Sequence, residues 1–291
     1  MKNIQISFIG GGNMAASLIG GLIADNLQAG QITVTDPSIR NREHLATHFG
    51  VHTSEDNATA IAGADVVVLA VKPQVLRTVA EELAPMIQGR QQAQQPLVIS
   101  VAAGVRSVDL NRWLGGETGN PVAVVRAMPN TPALVQTGAI GLYASGHVSD
   151  QQRDLAESIL RAAGLTLWVE EEDQMDAVTA LSGSGPAYFF RIMEALEVAG
   201  TELGLPAETA RLLTLQTALG AAKMALESSE SITTLRERVT SPGGTTEQGL
   251  RVMEEKNIDE LMAQVLKAAA DRSRELAELL GGEKQGEKGD S

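Results

Sequence analysis

The sequence contains no cysteine, and this absence excludes several kinds of chemistry at once. Without a thiol the chain has no disulfide, no cysteine-ligated zinc site and no thiol nucleophile. Aromatic residues make up only 3% of the chain, so stacking surfaces for single-stranded nucleic acid are scarce. The 36 acidic residues outnumber the 23 basic ones, and the net charge of -13 repels phosphate backbones. We therefore expect no nucleic-acid partner and a cytoplasmic location.

Long hydrophobic runs are also missing. The run VVVLAV at 66–71 is far shorter than the roughly 20 apolar residues of a membrane-spanning helix. Near the start, three glycines interrupt the apolar run in MKNIQISFIGGGNMAAS, so we interpret this segment as mature structure rather than a signal peptide. No membrane partner is expected. A chain of 291 residues with 43% apolar content can form two domains with ordinary cores.

Up to about residue 170 the pattern alternates strand and helix, which is typical of an α/β fold with a parallel sheet. Several strands are apolar throughout, which predicts that both faces of the sheet are covered. The predicted strands are residues 4–9, 32–35, 65–71, 96–101, 122–127, 139–144 and 165–170, and the predicted helices are 13–26, 74–84 and 150–163.

After about residue 173 the strand signals disappear and long helical patterns replace them. The pattern therefore predicts an α/β domain with a parallel sheet over 1–170, an all-α domain over 171–280, and a disordered, glycine-rich charged tail over 281–291. Leucines and alanines cover more than one face of the helix around 212–226, which predicts a homodimer through these C-terminal helices.

The stretch IQISFIGGGNMA places Gly10, Gly12 and Ala15 in G-x-G-x-x-A spacing between a strand and a helix. In a dinucleotide site the first glycine permits a tight turn, and the second lets the backbone approach a pyrophosphate. The alanine lets the helix pack close to the sheet, while the helix N-terminus faces the phosphates. The alternative is a glycine turn that only packs.

Asp36 ends the second predicted strand, 26 residues after Gly10, where a carboxylate meets the adenosine ribose in many dinucleotide sites. Such a carboxylate accepts hydrogen bonds from a 2'-hydroxyl and repels a 2'-phosphate, which favours NADH. Arg40 and Arg42 follow closely and offer positive charge for a 2'-phosphate, so local chemistry leaves the choice of cofactor open. The alternative for both arginines is a solvated helix face.

Two further loops follow predicted strands at the carboxyl edge of the sheet, where doubly wound folds bind ligands. Lys72 and Pro73 follow VVVLAV, and the lysine is either a cofactor contact or a surface residue in a rigid turn. Met128 and Pro129 lead into NTPALVQTG, a proline-fixed loop that suits either a nicotinamide wall or a plain interdomain turn.

Two glycine-rich stretches interrupt the helical half. In ALSGSGPAYFF a serine cap and Pro186 at a helix start explain part of the pattern, and the glycines leave close approach to a backbone or ligand open. In SPGGTTEQG, Thr245 and Gln248 have the spacing of a capping box. The loop should therefore present unpaired amides at a helix N-terminus to a small anion, most economically a substrate carboxylate. The alternative is a tight interhelical turn.

The stretches GGGNMA, AVKPQ, MPNTPA, ALSGSGPAYFF and VTSPGGTTEQ occur together, and with them the chain from residue 4 to about 280 resembles the pyrroline-5-carboxylate reductase family. The resemblance implies a Rossmann-type doubly wound sheet as the dinucleotide-binding domain over 1–170, followed by an all-α substrate and dimerisation domain over 171–280. It also implies reduction of Δ1-pyrroline-5-carboxylate to L-proline, an active site between the two domains, NADPH as the usual cofactor and rings of dimers as a larger assembly. NADH is plausible here because many relatives have a small neutral residue where this chain has Asp36.

The same resemblance implies the functional residues. Cofactor contacts are expected at Gly10, Gly11, Gly12, Asn13, Met14, Ala15, Asp36, Pro37, Asn57, Ala70, Val71, Lys72, Pro73, Ala102 and Ala103. Substrate contacts are expected at Ser241, Pro242, Gly243, Gly244, Thr245 and Thr246, and the Thr246 hydroxyl is expected near the ring nitrogen as the catalytic group.

This chemistry fits the scarcity of acid–base side chains, since a protonated cyclic imine already carries its proton. His44 and His48 indicate a solvated helix face, and no metal is expected. One alternative is a β-hydroxyacid dehydrogenase with Lys223 as its acid or base. Another is a dinucleotide-sensing module without turnover, although such a module has no need for SPGGTT.

Overall fold

A computed structural model of the chain describes residues 4–282. Within this range eight strands form one sheet in the order β3-β2-β1-β4-β5-β6-β7-β8. The strands are β1 (Ile6–Ile9), β2 (Ile32–Thr35), β3 (His52–Ser54), β4 (Val66–Leu69), β5 (Leu97–Ser100), β6 (Val124–Met128), β7 (Gly138–Ala144) and β8 (Gly164–Trp168).

The pairing of these strands confirms a doubly wound, Rossmann-type sheet. Strands β1 to β6 are parallel, and the strand order reverses at the β1–β4 pair, where Ile9 lies opposite Leu69. Strand β7 runs antiparallel to β6 and carries β8 parallel to itself, a direction that the sequence did not indicate. The short edge strand β3 was also not predicted.

Twelve α-helices cover the sheet or follow it within the described residues. Their bounds are α1 (Asn13–Ala24), α2 (Ile39–Phe49), α3 (Asn57–Ile61), α4 (Pro73–Gln88), α5 (Ser107–Trp113), α6 (Asp150–Leu160), α7 (Gln174–Val178), α8 (Gly185–Glu202), α9 (Ala207–Glu227), α10 (Ile232–Arg238), α11 (Thr245–Glu255) and α12 (Ile258–Gly281).

Both faces of the central strands are buried, as the continuous apolar runs predicted. Every residue of β1, β4 and β5 is buried. Side chains alternate between two cores, so that Phe8 packs on one side of the sheet and its neighbour Ile9 on the other. This double coverage fixes the carboxyl ends of the strands as a rigid edge.

Gly21 shows how closely α1 packs against the end of α6. A Cβ atom at this position would overlap the carbonyl oxygen of Ala162, a backbone atom in the short turn that follows α6. We expect Gly21→Ala to lower the free energy of unfolding by about 3 kcal/mol or more, because overpacking forces the helix away from its neighbour. Chemical denaturation measures the loss. Gly63→Ala is the matched control, since no atom lies within 4 Å of its Cβ position.

The described residues divide into two compact units. One comprises the chain up to Ser184 together with the residues from Ala269 onward, and the other comprises Gly185–Ala268. The expected domain limits, 1–170 and 171–280, stay a prediction. The expected tail began at 281, but Gly281 is the buried last residue of α12. The rest of that prediction, residues 283–291, lies outside the described residues.

The second unit leaves many large apolar side chains in contact with solvent in the single chain. On α9, Leu212 is 60% exposed, Leu219 62% and Leu226 81%. On α8, Phe189 and Phe190 are similarly exposed. A monomeric protein rarely exposes apolar side chains so densely, so these helices are suited to cover by another polypeptide.

None of the helices traced between residues 4 and 282 combines the length and the apolar character that crossing a membrane requires.

Candidate active site

The glycine loop after β1 lies at the strand-order reversal, next to the end of β4. Gly10 has φ +101°, and its amide donates to the carbonyl oxygen of Thr35 at 2.8 Å. A Cβ atom on Gly10 would lie 2.6 Å from the carbonyl oxygen of Ala70. Both the backbone angle and the close approach therefore require glycine at this position.

The following helix, α1, presents an uncapped N-terminus. Its N-cap is Gly12, which makes no side-chain capping bond and has no atom within 4 Å of its Cβ position. The amides of Asn13 and Met14 have no acceptor within the helix itself, and Ala15 is fully buried in the core on one side of the sheet. A helix N-terminus with free amides and a positive dipole end fits a dinucleotide pyrophosphate.

Asp36, at the end of β2, is tied to this glycine loop. Its Oδ2 accepts from the amide of Gly11 at 2.8 Å, and its Oδ1 accepts from the amide of Ser38 at 2.8 Å. The carboxylate thus holds the loop in place, a role that the sequence did not indicate. Each oxygen retains a further lone pair, so the group can still accept from a ribose hydroxyl.

The two arginines that follow Asp36 differ in their surroundings. Arg42 donates to the carbonyl oxygens of Asp36 at 2.7 Å and Pro37 at 3.2 Å, and pairs with Glu55 at 3.3 Å. Its guanidinium is therefore already engaged. Arg40 is exposed and forms no ion pair within residues 4–282.

Asn57 begins α3 beside the carboxyl end of β2. Its Oδ1 accepts from the Thr35 hydroxyl at 2.6 Å, and its Nδ2 lies 3.3 Å from both carboxylate oxygens of Glu82. Asp56 caps the same helix through the amides of Ala58 and Thr59. The Thr59 hydroxyl also donates to Asp56, and this bond lowers the pKa of that carboxyl. These contacts place Asn57 at the predicted cofactor edge.

The remaining predicted cofactor residues follow β4 and β5. Lys72 is the exposed N-cap of α4, and Pro73 is its first residue, a position where the missing amide costs nothing. Ala102 and Ala103 follow β5, which pairs directly with β4. All these segments therefore lie along one edge of the sheet, next to the glycine loop. Val71 continues the chain between Ala70 and Lys72.

The loop after β6 is organised by Asn130, a residue that the sequence analysis did not single out. The side chain is buried, with Oδ1 accepting from the amide of Ala139 at 2.9 Å and Nδ2 donating to the carbonyl oxygen of Ser182 at 3.0 Å. Beside it, a Cβ atom on Gly183 would lie 2.5 Å from Cε of Met128. Thus MPNTPA and ALSGSG pack together.

The expected serine cap in ALSGSGPAYFF was wrong. Residues Thr179–Gly183 form a π-helical turn that joins α7 to α8, and the Ser182 hydroxyl donates back to the carbonyl of Val178 at 3.0 Å. Helix α8 begins at Gly185, ahead of Pro186. Packing against Met128 explains Gly183, whereas Gly185 has no atom near its Cβ position.

The SPGGTTEQG loop leads into α11, as predicted, but by different bonds. The N-cap is Gly244 rather than Thr245, and it makes no side-chain capping bond, so the predicted capping box was wrong. Gly243 has φ +71° and donates its amide to Oε2 of Glu247 at 2.8 Å. The amide of Gly244 donates to the carbonyl of Ser241 at 2.9 Å. Both glycine amides are therefore already bonded.

Three amides remain at the start of α11. The first helical hydrogen bond of α11 runs from the amide of Gln248 to the carbonyl oxygen of Gly244. The amides of Thr245, Thr246 and Glu247 therefore have no acceptor in the helix itself. The Ser241, Thr245 and Thr246 side chains are exposed, and within the described residues their hydroxyls form no hydrogen bond. The loop can thus offer both amide and hydroxyl donors to one small anionic ligand.

The histidines and the lysine considered from the sequence lie elsewhere. His44 and His48 are exposed on α2 with their rings stacked at 5.3 Å, which confirms the solvated helix face. Across residues 4–282 there is no cluster of three or more metal-ligating side chains. Lys223 is exposed on α9 and lies 3.8 Å from Glu227.

Comparisons with known proteins place these features in one family. The family described as pyrroline-5-carboxylate reductase dimerisation matches residues 172–276, and the family described as NADP oxidoreductase coenzyme F420-dependent matches residues 5–104. A pyrroline-5-carboxylate reductase of Pseudomonas aeruginosa is 51% identical over 281 residues, which cover 97% of this chain and 100% of that relative. A relative of the same name from Haemophilus influenzae is 42% identical over 96% of this chain.

Solved structures agree with the sequence relatives. A pyrroline-5-carboxylate reductase from Coxiella burnetii aligns with a TM-score of 0.89 at 49% identity, covering 95% of this chain and 99% of that one. The Plasmodium falciparum reductase, solved with NADP bound, aligns with a TM-score of 0.81 at 28% identity over the same shares. With about half of its residues identical to a reductase that it matches over nearly its whole length, the chain belongs to the pyrroline-5-carboxylate reductase family.

Proposed function

We infer that this chain reduces Δ1-pyrroline-5-carboxylate to L-proline with a reduced nicotinamide dinucleotide, the last step of proline biosynthesis. The observation that carries this function is the start of α11, where three amides and three hydroxyls remain available beside a glycine turn. A five-membered imine with one carboxylate matches such a set, because the amides suit the carboxylate and a hydroxyl suits the ring nitrogen.

The cofactor half of the proposal rests on the edge of the sheet. The free amides of α1, the fixed turn at Gly10 and the carboxylate of Asp36 fit the pyrophosphate and the adenosine ribose. When bound there, NADPH or NADH supplies the hydride. We assign cofactor contacts to Gly10, Gly11, Gly12, Asn13, Met14, Ala15, Asp36, Pro37, Asn57, Ala70, Val71, Lys72, Pro73, Ala102 and Ala103.

The substrate half of the proposal rests on the loop before α11. The amides of Thr245, Thr246 and Glu247 hold the carboxylate, and the Thr246 hydroxyl lies at the ring nitrogen and fixes the orientation of C5. The substrate accepts the hydride at C5 while its nitrogen keeps the proton that it already carries. The chain therefore supplies orientation and exclusion of water rather than a strong acid. We assign substrate contacts to Ser241, Pro242, Gly243, Gly244, Thr245 and Thr246.

This assignment is favoured over a β-hydroxyacid dehydrogenase by the surroundings of Lys223. Reduction of a carbonyl needs a proton donor for the new alcohol, and a catalytic lysine for this purpose is normally held in a shielded site. Lys223 instead lies 3.8 Å from Glu227, the neighbouring acid on its own helix, and this ion pair holds the lysine along the helix surface of the single chain.

Nucleotide choice follows from the contacts around Asp36. Its carboxylate disfavours a 2'-phosphate, and Arg42 is already engaged by two carbonyl oxygens and Glu55. We therefore expect kcat/KM for NADH to lie within about 100-fold of the value for NADPH. Arg40→Ala should lower kcat/KM for NADPH several-fold and leave the value for NADH unchanged. Arg40 is the exposed cation nearest to Asp36 in the sequence, and only NADPH carries the 2'-phosphate that it would attract. A preference for NADPH of many thousandfold would refute this prediction.

The assembly is part of the same proposal. The dimerisation family match and the exposed leucines of α9 support a homodimer through the C-terminal helices, with rings of dimers as the larger form. A cytoplasmic location likewise remains a proposal.

The direct test of the function is spectrophotometric. Purified protein mixed with NADPH and pyrroline-5-carboxylate should oxidise the nucleotide with saturation in both substrates. A dinucleotide-sensing module would bind NADPH but leave its absorbance unchanged, and that result would overturn the proposal.

A further inference from the structure

Glu247 brings a carboxylate of the chain itself into the loop that we assign to the carboxylate of the substrate. Its Oε2 accepts from the amide of Gly243 at 2.8 Å, across the turn that Pro242 and Gly243 form. Gly243 adopts φ +71°, so its amide is directed by a backbone conformation that glycine readily supplies. The side chain is otherwise exposed to solvent.

The position of Glu247 within α11 favours this arrangement. It is the third residue of the helix, where the positive end of the helix dipole attracts an anion. Together with the Gly243 amide, this position stabilises the carboxylate of Glu247 by the same interactions that would attract an incoming carboxylate. The amide of Gly244 donates instead to the carbonyl of Ser241, so Glu247 binds the amide of Gly243 and not that of Gly244.

We propose that Glu247 acts as an internal competitor that weakens binding of the substrate carboxylate and so raises KM for pyrroline-5-carboxylate. This proposal rests on the function proposed above. A substrate that uses the Gly243 amide must first displace Glu247, and one that uses only the remaining amides binds beside a like charge. Both routes make binding less favourable, and neither changes the transfer of hydride once the substrate is in place.

The test compares two variants at this position. Glu247→Ala removes both the hydrogen bond and the charge, and it should lower KM for pyrroline-5-carboxylate by about 3- to 10-fold, the size of one ordinary solvent-exposed hydrogen bond. Glu247→Gln keeps an acceptor oxygen without the charge and should lower KM by a smaller factor. In both variants kcat and KM for NADPH should stay within about twofold of wild type.

A second measurement reads binding without turnover. The inhibition constant of L-proline, which carries the same carboxylate, should fall in parallel with KM. The matched control is Glu254→Gln, which removes one negative charge from the same helix about 10 Å further along its axis. Glu254 is exposed and forms no side-chain bond in the described part of the chain, so its replacement should leave KM unchanged.

The outcomes separate the two proposals. If the wild-type protein does not oxidise NADPH with pyrroline-5-carboxylate, the proposed function fails. If it does, but KM in Glu247→Ala and Glu247→Gln is unchanged or higher, the competitor proposal is overturned, and a higher KM would mean that Glu247 holds the loop in its binding shape. A lower KM with a lower inhibition constant for L-proline supports it.

Discussion

Replacing Gly10 with alanine should weaken binding of NADPH by about 10- to 100-fold and also lower the free energy of unfolding. Gly10 has φ +101°, a conformation that costs other residues about 1–3 kcal/mol. The added Cβ would lie 2.6 Å from the carbonyl oxygen of Ala70, so the turn must move. Because this turn directs the amides of α1, its displacement removes the phosphate donors from their position. Nucleotide titration and thermal unfolding measure the two effects.

Gly12→Ala separates ligand binding from folding. Gly12 has φ -77° and no atom within 4 Å of its Cβ position, so alanine should change stability by less than about 1 kcal/mol. A methyl group there would nevertheless stand where a pyrophosphate must approach the backbone. We therefore expect weaker NADPH binding with a nearly unchanged melting temperature. Wild-type affinity in Gly12→Ala would contradict the placement of the pyrophosphate at α1.

Replacing Thr246 with alanine should lower kcat by about 100-fold while leaving the dissociation constant of NADPH within about twofold of wild type. The Thr246 side chain is exposed in the first turn of α11, and its hydroxyl forms no bond within residues 4–282, so it is available to the substrate. Without the hydroxyl the ring nitrogen loses its partner, and C5 is no longer held in line for hydride transfer. Steady-state kinetics and nucleotide titration measure the two quantities.

Thr246→Ser is the matched control for this prediction. Serine keeps the hydroxyl at the same position and should restore most of kcat, whereas a loss caused by altered helix packing would not be restored. Equal losses of kcat and of nucleotide affinity in Thr246→Ala would contradict the placement of this hydroxyl at the imine.

Most of the sheet could be predicted because its strands are buried on both faces. In a chain that alternates strands and helices, continuous apolar runs such as 66–71 indicate strands that are buried on both faces. The direction of β7 is not encoded in such a run. Only nine residues, 129–137, connect β6 to β7, and a parallel crossover usually needs a dozen or more. Loop length was therefore the signal that would have indicated an antiparallel strand.

The glycine loop after β1 was predictable because the pattern that indicates it is local. Gly10, Gly12 and Ala15 are close in sequence, and the fold gives Gly10 and Ala15 a steric reason, whereas no atom lies near the Cβ position of Gly12. Asn130 was not predictable in the same way, since its partner Ser182 is 52 residues away and its role is to satisfy a carbonyl of a π-helical turn. No periodic pattern in the sequence indicates such a contact.

The capping box failed for a different reason. The spacing of Thr245 and Gln248 satisfies the rule, but Gly244 already occupies the N-cap position and Glu247 supplies the nearby acceptor. Sequence rules treat one candidate cap at a time, whereas the fold selects among competing side chains within a few residues.

The most direct test of the central claim is a product analysis of the reaction with pyrroline-5-carboxylate and NADPH, run in parallel with NADH. Each mole of nucleotide oxidised should yield one mole of L-proline, and both nucleotides should support the reaction. Binding of the nucleotide without formation of proline would contradict it.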